Sequence, residues 1–273
     1  MRRYDCPGGL DFGGYDNAMA LTQLTLEGLD RVEVAILRLQ EFEPPGGYYL
    51  AFSGGKDSVV LHDLAEKAGV KFDAHYSQGG IDPPELVRFI REYYPDVIRD
   101  RPKMSVWQGV LAHGMPRRKG RWCCELIKEH HGGGRRVLTG IRWQESARRK
   151  GRAMVEVCTR DKTKVYVHPV IDWGVGDVWE YIKGNGLPYC SLYDEGFTRI
   201  GCVLCPMQTA RQTQRELQRF PKLAEAWRRA CYRYWEKSEA AKRWPTPEAF
   251  WLWWLSREGE PRVDEAQCIM FDN

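Results

Sequence analysis

The sequence predicts an α/β fold with an open, mostly parallel sheet, helices on both faces and a helical C-terminal appendage. Three observations lead to this prediction. Strand-like apolar segments alternate with helical ones up to about residue 210, a glycine-rich turn joins one strand to the next helix, and only charged, tryptophan-rich helical sequence follows. Strands that alternate with helices are typical of a parallel sheet that is covered on both faces.

The first predicted elements surround the glycine-rich turn. Apolar residues at helical spacing predict a helix within 17–42, and the turn-forming residues 43–47 end it. The apolar run 48–52 predicts a buried strand, and 57–68 predicts an amphipathic helix. These elements form the first half of a β-α-β unit.

The alternation continues beyond this unit. Residues 70–76 predict a strand, 83–94 a helix with proline at its start, 136–139 a strand, and 155–168 a pair of strands. We therefore divide the chain into three parts. These are an N-terminal helical segment (1–45), a main α/β domain (46–210) and a helical C-terminal segment (211–273).

Composition limits the class of protein. The 41 Lys and Arg against 37 Asp and Glu give a net charge of +4, which is too small to predict nucleic-acid binding by itself. No segment approaches the roughly 18 apolar residues of a membrane span, and the N-terminus lacks an apolar signal core. These features predict a cytoplasmic protein without membrane contact. The nine cysteines, an odd number with two adjacent, favour reduced thiols over a secreted disulfide framework.

A candidate phosphate-binding loop lies between the first predicted strand and the following helix. Its glycines allow backbone N–H groups to approach an anion, the helix N-terminus adds its positive dipole end, and lysine and serine side chains add donors. The predicted ligand is pyrophosphate, although the spacing is not that of a Walker loop. The alternative is a turn without a ligand. The residues are Ser53, Gly54, Gly55, Lys56, Asp57 and Ser58.

Two cysteine pairs form a candidate metal site, Cys123 with Cys124 and Cys202 with Cys205. Adjacent thiolates fit poorly around one tetrahedral zinc, whereas a cubane offers a separate iron to each sulfur, so the set favours a [4Fe-4S] cluster. Zinc and uncoordinated thiols remain alternatives. The other cysteines are expected to be ordinary thiols, namely Cys6, Cys158, Cys190, Cys231 and Cys268.

The loop resembles the SGGxDS signature of the PP-loop ATP pyrophosphatases. The cysteine pairs resemble those of the PAPS reductase and DndC-like family, as do the segments 139–146, 168–173, 187–188 and 192–196 between them. The resemblance covers about residues 47–210. It implies an adenine nucleotide alpha hydrolase-like fold, ATP or adenylyl sulfate bound with Mg²⁺, and a [4Fe-4S] cluster on the four cysteines. It further implies that the loop grips pyrophosphate, with Asp57 near the magnesium.

Further candidates follow the predicted strand 136–139, where open parallel sheets bind ligands. Gly140 and Arg142 are assigned to nucleotide binding, and Lys56, Asp57 and Arg142 to catalysis. Arginine forks suit phosphate or sulfate oxygens, although a solvated surface is an equal alternative for Arg149 and Arg152. Arg148 is a further candidate of this kind. Lys128 is expected to face the anionic substrate, and Asp82 to approach the nucleotide or its metal. His75 and His168 are expected to be packed or hydrogen-bonding histidines.

The C-terminal segment has two interpretations. It contains ten Lys and Arg between Arg211 and Arg243 and six tryptophans up to Trp254. Interleaved arginines and aromatics in 211–257 are typical of single-stranded nucleic-acid binding. The other interpretation, which helix-spaced aromatics favour, is a helical lid whose tryptophans fill a core.

Two chemistries fit these features. In the first, ATP adenylates an acceptor, pyrophosphate leaves, and sulfur displaces AMP; in the second, a thiolate attacks adenylyl sulfate. Reductases of this family typically have a degenerate loop and a C-terminal ECGLH-like segment that carries the nucleophile. This chain has the complete loop, and residues 265–273 match that segment poorly. We therefore favour ATP use. Cys268 remains a candidate nucleophile, and a non-catalytic accessory subunit is a third hypothesis. The expected partners are an adenine nucleotide and a sulfur-donor or reductant protein. The sequence does not determine whether the chain forms a homodimer.

Overall fold

The computed structural model describes residues 30–257 and contains a six-stranded sheet. The strand order is β3-β2-β1-β4-β6-β5, and every neighbouring pair is parallel except β5 with β6. The predicted fold class is confirmed, as is the pairing of the two strands within 155–168. The strands are β1 (Tyr48–Ala51), β2 (Phe72–Ser77), β3 (Ile98–Asp100), β4 (Arg136–Leu138), β5 (Val155–Val157) and β6 (Val165–Val167).

Nine α-helices accompany the sheet within residues 30–257. The sequence did not predict the helices Val106–His113, Ala147–Lys150 and Val175–Gly184. It also did not predict β3, a three-residue strand whose Ile98 is 47% exposed and which therefore has no apolar pattern. Within the predicted helix 17–42, residues 17–29 lie outside the described part. The helices are α1 (Arg31–Glu41), α2 (Lys56–Lys67), α3 (Pro84–Tyr93), α4 (Val106–His113), α5 (Ala147–Lys150), α6 (Val175–Gly184), α7 (Ala210–Arg219), α8 (Pro221–Lys237) and α9 (Pro247–Ser256).

The two faces of the sheet differ in polarity. On the apolar face, the Tyr48 hydroxyl donates to the Leu39 carbonyl of α1 at 2.8 Å, and α2 packs its His62 ring on Phe72. On the other face, Ser77 donates to the Ile127 carbonyl of a π-helix, Cys124–Lys128. Parallel strands present alternate side chains to opposite faces, so this helix covers the second face. It also places the paired cysteines beside the end of β2.

The second face carries a polar cluster. Tyr49 stacks on His75 with ring centroids 4.2 Å apart, and His75 Nδ1 lies 3.0 Å from Asp100. Arg135, in the segment that follows the π-helix, pairs with Asp73 of β2 at this cluster. His75 is therefore a hydrogen-bonding histidine within the sheet.

The C-terminal helices form an aromatic core. Trp227, Trp251 and Trp254 are buried, and the Trp227 ring meets Trp107 of α4 at 5.2 Å. Burial removes these rings from any base-stacking role, because stacking needs an open aromatic face. The packing favours the helical-lid interpretation. No helix within residues 30–257 has the length and apolarity that a membrane crossing requires.

Candidate functional site

The candidate phosphate-binding loop leaves the carboxyl end of β1 and enters α2. Gly54 has φ +70°, and a Cβ there would lie 2.7 Å from Ile90 and 2.8 Å from Leu86. Only glycine fits this turn. The Ser53 and Ser58 hydroxyls lie 3.2 Å apart, and Ser58 also donates to the Gly55 carbonyl at 2.8 Å. Hydrogen bonds within the loop therefore hold the turn between Ser53 and Ser58 in shape.

Lys56, Asp57 and Arg142 meet at the first turn of α2. Lys56 Nζ lies 3.1 Å from Asp57 Oδ2, and Arg142 Nε donates to Asp57 Oδ1 at 2.7 Å. Both cations are nearly buried, at 5% and 3% exposed. Two buried cations share one carboxylate, which leaves net positive charge for an anion. The structure thus brings together the three residues that the sequence assigned to catalysis.

Gly140 fixes how closely β4 approaches the loop. A Cβ on Gly140 would lie 2.8 Å from the Asp57 carbonyl oxygen and 3.0 Å from the Asp57 Cβ. Because backbone resists displacement, a larger residue would push α2 away. The close approach lets Arg142, two residues further on, reach Asp57.

Tyr193 is a residue that sequence reasoning missed. Its hydroxyl accepts a hydrogen bond from the Lys56 backbone N–H at 2.9 Å. Burial raises the pKa of Tyr193, so the phenol stays protonated at neutral pH. The signal that was available is its position in segment 192–196, which the family resemblance already covered.

The four candidate metal-binding cysteines are brought together. Every pair among Cys123, Cys124, Cys202 and Cys205 interacts electrostatically. A hydrogen bond from Cys123 lowers the pKa of Cys124 to about 7, while burial raises the pKa of Cys202 to about 12. Within residues 30–257, no three Cys, His, Asp or Glu side chains are arranged to hold a single metal ion. The four thiols thus lie near enough to act on one another electrostatically, but they do not converge on one ion.

Asp82 and Lys128 connect the cysteines to the end of β2. Lys128 Nζ donates to Asp82 Oδ1 at 2.8 Å, and the Tyr76 hydroxyl donates to Asp82 Oδ2 at 2.7 Å. Burial opposes the charge on Lys128, but Asp82 and then Cys202 outweigh it, so its pKa is raised. A charged amine therefore stands beside the Cys202 sulfur.

The phosphate loop and the cysteines lie at the same edge of the sheet. The loop follows β1 and the Asp82 segment follows the adjacent parallel strand β2. The Val203 N–H donates to the Ile81 carbonyl at 2.8 Å, which joins the second cysteine pair to that segment. The charge of Arg199 acts on both the Tyr193 phenol and the Cys205 thiol. One exposed cation therefore borders both candidate sites.

A cavity of about 370 Å³ adjoins Asp82 at this edge. It offers space for a substrate next to the Asp82 and Lys128 pair. Its polar lining combines carboxylate, amide and guanidinium groups from Asp82, Gln78, Arg88 and Arg91.

The other predicted residues do not join the site. Arg149 pairs with Glu145, and Arg152 pairs with Glu156. These ion pairs favour the surface role for both arginines over the binding of an anion. Arg148 is exposed. His168 is fully buried and its Nδ1 lies 2.7 Å from Thr139 Oγ1, so it braces the end of β4.

Comparison with known proteins identifies the family. The model of the phosphoadenosine phosphosulfate reductase domain matches residues 47–208. An uncharacterized protein of Methanocaldococcus jannaschii is 31% identical over 77% of this chain and 46% of its own length. An adenosine 5'-phosphosulfate reductase of Oceanobacillus iheyensis is 30% identical over 59% of this chain and 71% of its own.

A solved structure, phosphoadenylyl-sulfate reductase from Candida auris in a phosphate complex, is 22% identical with a TM-score of 0.48, covering 68% of this chain and 98% of its own. The chain spans about half the length of two uncharacterized relatives from Methanocaldococcus jannaschii, 46% of one and 54% of the other. Since the family model covers more than half of the 273 residues, the chain belongs to the phosphoadenosine phosphosulfate reductase domain family.

Proposed function

We propose that the chain is an iron-sulfur enzyme that uses ATP to adenylate an acceptor, releases pyrophosphate and then transfers sulfur, as in DndC-like proteins. The observation that carries the proposal is the intact loop with Lys56, Asp57 and Arg142 assembled at its helix. A pair of buried cations on one carboxylate suits a polyphosphate with its magnesium. Reduction of a sulfonucleotide needs no such pyrophosphate site.

The loop backbone, Lys56, Asp57 and Arg142 have distinct roles in this reaction. The loop N–H groups and Lys56 would hold the β- and γ-phosphates, and Asp57 would bind Mg²⁺. Arg142 orients Asp57 and stabilises the charge that develops on the α-phosphate. An acceptor oxygen attacks the α-phosphorus, the bond to the bridging oxygen breaks, and pyrophosphate leaves with that oxygen. A hydrosulfide-level sulfur from a donor protein then displaces AMP, and the acceptor keeps the sulfur.

The four cysteines suit a [4Fe-4S] cluster. The thiols of Cys123, Cys124, Cys202 and Cys205 act on one another electrostatically, and Lys128 would offset the negative charge of a thiolate-ligated centre. A cubane would take a separate thiolate at each iron, so its four ligands would not need to converge on one point. When bound, the cluster would supply an iron-sulfide centre that carries sulfur or sets the electrostatics beside the reacting atoms.

Sulfonucleotide reduction is the second candidate, because relatives named adenosine 5'-phosphosulfate reductase match the chain. In that reaction a cysteine thiolate attacks the sulfur of adenylyl sulfate, AMP leaves, and a thiol reductant releases sulfite. The nucleophile proposed for it, Cys268, lies outside the described residues.

One experiment distinguishes these functions. The protein is purified anaerobically, its iron and sulfide are measured, and it is incubated with ATP or with adenylyl sulfate and a thiol reductant. Pyrophosphate without sulfite supports the proposal, sulfite alone supports the reductase, and neither product with any acceptor indicates an accessory subunit. Lys56→Ala should abolish pyrophosphate release. Lys183→Ala, at an exposed lysine of α6, is the control and should not.

A further inference from the structure

The two residues between Cys202 and Cys205 are unusually constrained. Val203 and Leu204 are both fully buried. Leu204 has φ +58°, and it is one of only two non-glycine residues within 30–257 with positive φ. A left-handed conformation costs a non-glycine residue about 1–2 kcal/mol, so surrounding contacts must hold it in place.

Contacts from outside the loop satisfy the backbone of Val203. Its N–H donates to the Ile81 carbonyl at 2.8 Å, and its carbonyl accepts from Trp227 Nε1 at 3.1 Å. The first bond anchors the loop to the end of β2, and the second anchors it to α8.

Two charged side chains hold the backbone of Leu204. Its N–H donates to Glu216 Oε2 of α7 at 2.6 Å, and its carbonyl accepts from Arg257 Nη2 at 2.9 Å. Glu216 is 3% exposed and also accepts from Gln208 Nε2 at 2.6 Å. The carboxylate and the guanidinium thus bind opposite ends of the one strained residue in this loop.

The helix before Arg257 also contacts the segment that leads to the other cysteine pair. Arg257 lies over the Trp254 ring at 4.4 Å, and Trp254 Nε1 donates to the Pro116 carbonyl at 2.8 Å. Pro116 begins the segment that leads to Cys123. The Arg257 guanidinium also acts electrostatically on Cys205. The end of α9 therefore touches both chain segments that carry the proposed ligands.

We propose that Glu216 and Arg257 are positioning residues for the cysteine site. By holding Leu204 in its left-handed conformation, they aim the Cys202 and Cys205 thiols at the paired cysteines 123 and 124. The tryptophan- and arginine-rich helices thus serve to assemble the site. This inference rests on the proposed function for its cluster, but the arrangement of thiols is a property of the chain itself.

The test compares Arg257→Leu and Glu216→Leu with the conservative variants Arg257→Lys and Glu216→Gln. Arg228→Leu is the control, since Arg228 is an exposed arginine of α8 paired with Glu225. Iron per chain is measured after anaerobic reconstitution. Loss of a residue that orients metal ligands typically weakens metal binding by about 10–100-fold. We expect iron retention to fall in the leucine variants, to recover partly in the conservative ones and to stay unchanged in the control.

A second readout needs no metal. Iodoacetamide alkylation of Cys202 and Cys205 in the metal-free protein, followed by mass spectrometry, should be several-fold faster in the leucine variants and intermediate in the conservative ones. ATP binding should stay at the wild-type level, which shows that the variants are folded. Unchanged alkylation and iron in all four variants would overturn the inference. If the wild-type protein binds no iron but the variants still show the expected change in alkylation, the cluster is refuted and the positioning role stands.

Discussion

Replacement of Gly140 by alanine tests the packing that assembles the phosphate site. The added Cβ would lie 2.8 Å from the Asp57 carbonyl oxygen, well inside the roughly 3.5 Å at which non-bonded heavy atoms attract each other. The added Cβ and the Asp57 carbonyl oxygen are both held by the backbone and cannot rotate away from each other. The first turn of α2 must therefore move. That movement lengthens the 2.7 Å bond between Arg142 and Asp57.

Overpacking of this kind costs about 1–3 kcal/mol, which corresponds to roughly 5- to 150-fold in an equilibrium constant. Urea unfolding should report the loss of stability in Gly140→Ala, and calorimetric titration should report weaker binding of ATP with Mg²⁺. The control is Gly176→Ala in the first turn of α6, because a Cβ there meets nothing within 4 Å, and it should not lower the stability of the protein. Wild-type stability and ATP affinity in Gly140→Ala would refute the reasoning.

Three further predictions follow from single contacts. Tyr193→Phe removes the acceptor of the Lys56 N–H. The loss of this hydrogen bond, about 0.5–1.5 kcal/mol, should lower the ATP affinity measured by calorimetry about two- to tenfold. An unchanged affinity would contradict the role of the hydroxyl. Burial raises the pKa of Asp172, but Arg38 more than offsets this and the net pKa is lowered. Ionised Asp172 therefore stabilises the fold above about pH 4, and this contribution disappears as pH falls through the lowered pKa. Asp172→Asn should accordingly destabilise the protein to urea at pH 7 and much less at pH 3, whereas a pH-independent loss would contradict the ion pair. Trp227→Phe leaves a carbonyl of the loop at 202–205 unpaired in a buried site, so its unfolding free energy should fall by about 1–3 kcal/mol, and no loss would contradict that bond.

Local patterns predicted most of the sheet and the phosphate loop. The apolar run before Ser53 and the glycines after it determine the conformation of a few neighbouring residues, and β1, the turn and α2 lie where the sequence placed them. The three-residue strand β3 was missed because its exposed Ile98 carries no periodic signal.

Contacts between distant segments could not be predicted in the same way. Tyr193 reaches Lys56 across 137 residues, and Arg257 reaches Leu204 across 53. No local pattern encodes such pairs, since they depend on how the elements pack. Similarly, Trp227 has two interpretations from its sequence context, and its burial in the structure favours packing over base stacking.

The central claim is that the phosphate loop and the four cysteines serve one active site. The most direct measurement is the alkylation rate of Cys124 and Cys205 in the metal-free protein, with and without a non-hydrolysable ATP analogue and Mg²⁺. A nucleotide in the loop should slow alkylation of both thiols several-fold, and Lys56→Ala should remove this protection. If calorimetry shows that the analogue binds while both thiols react at their original rates, the two sites are separate and the claim is wrong.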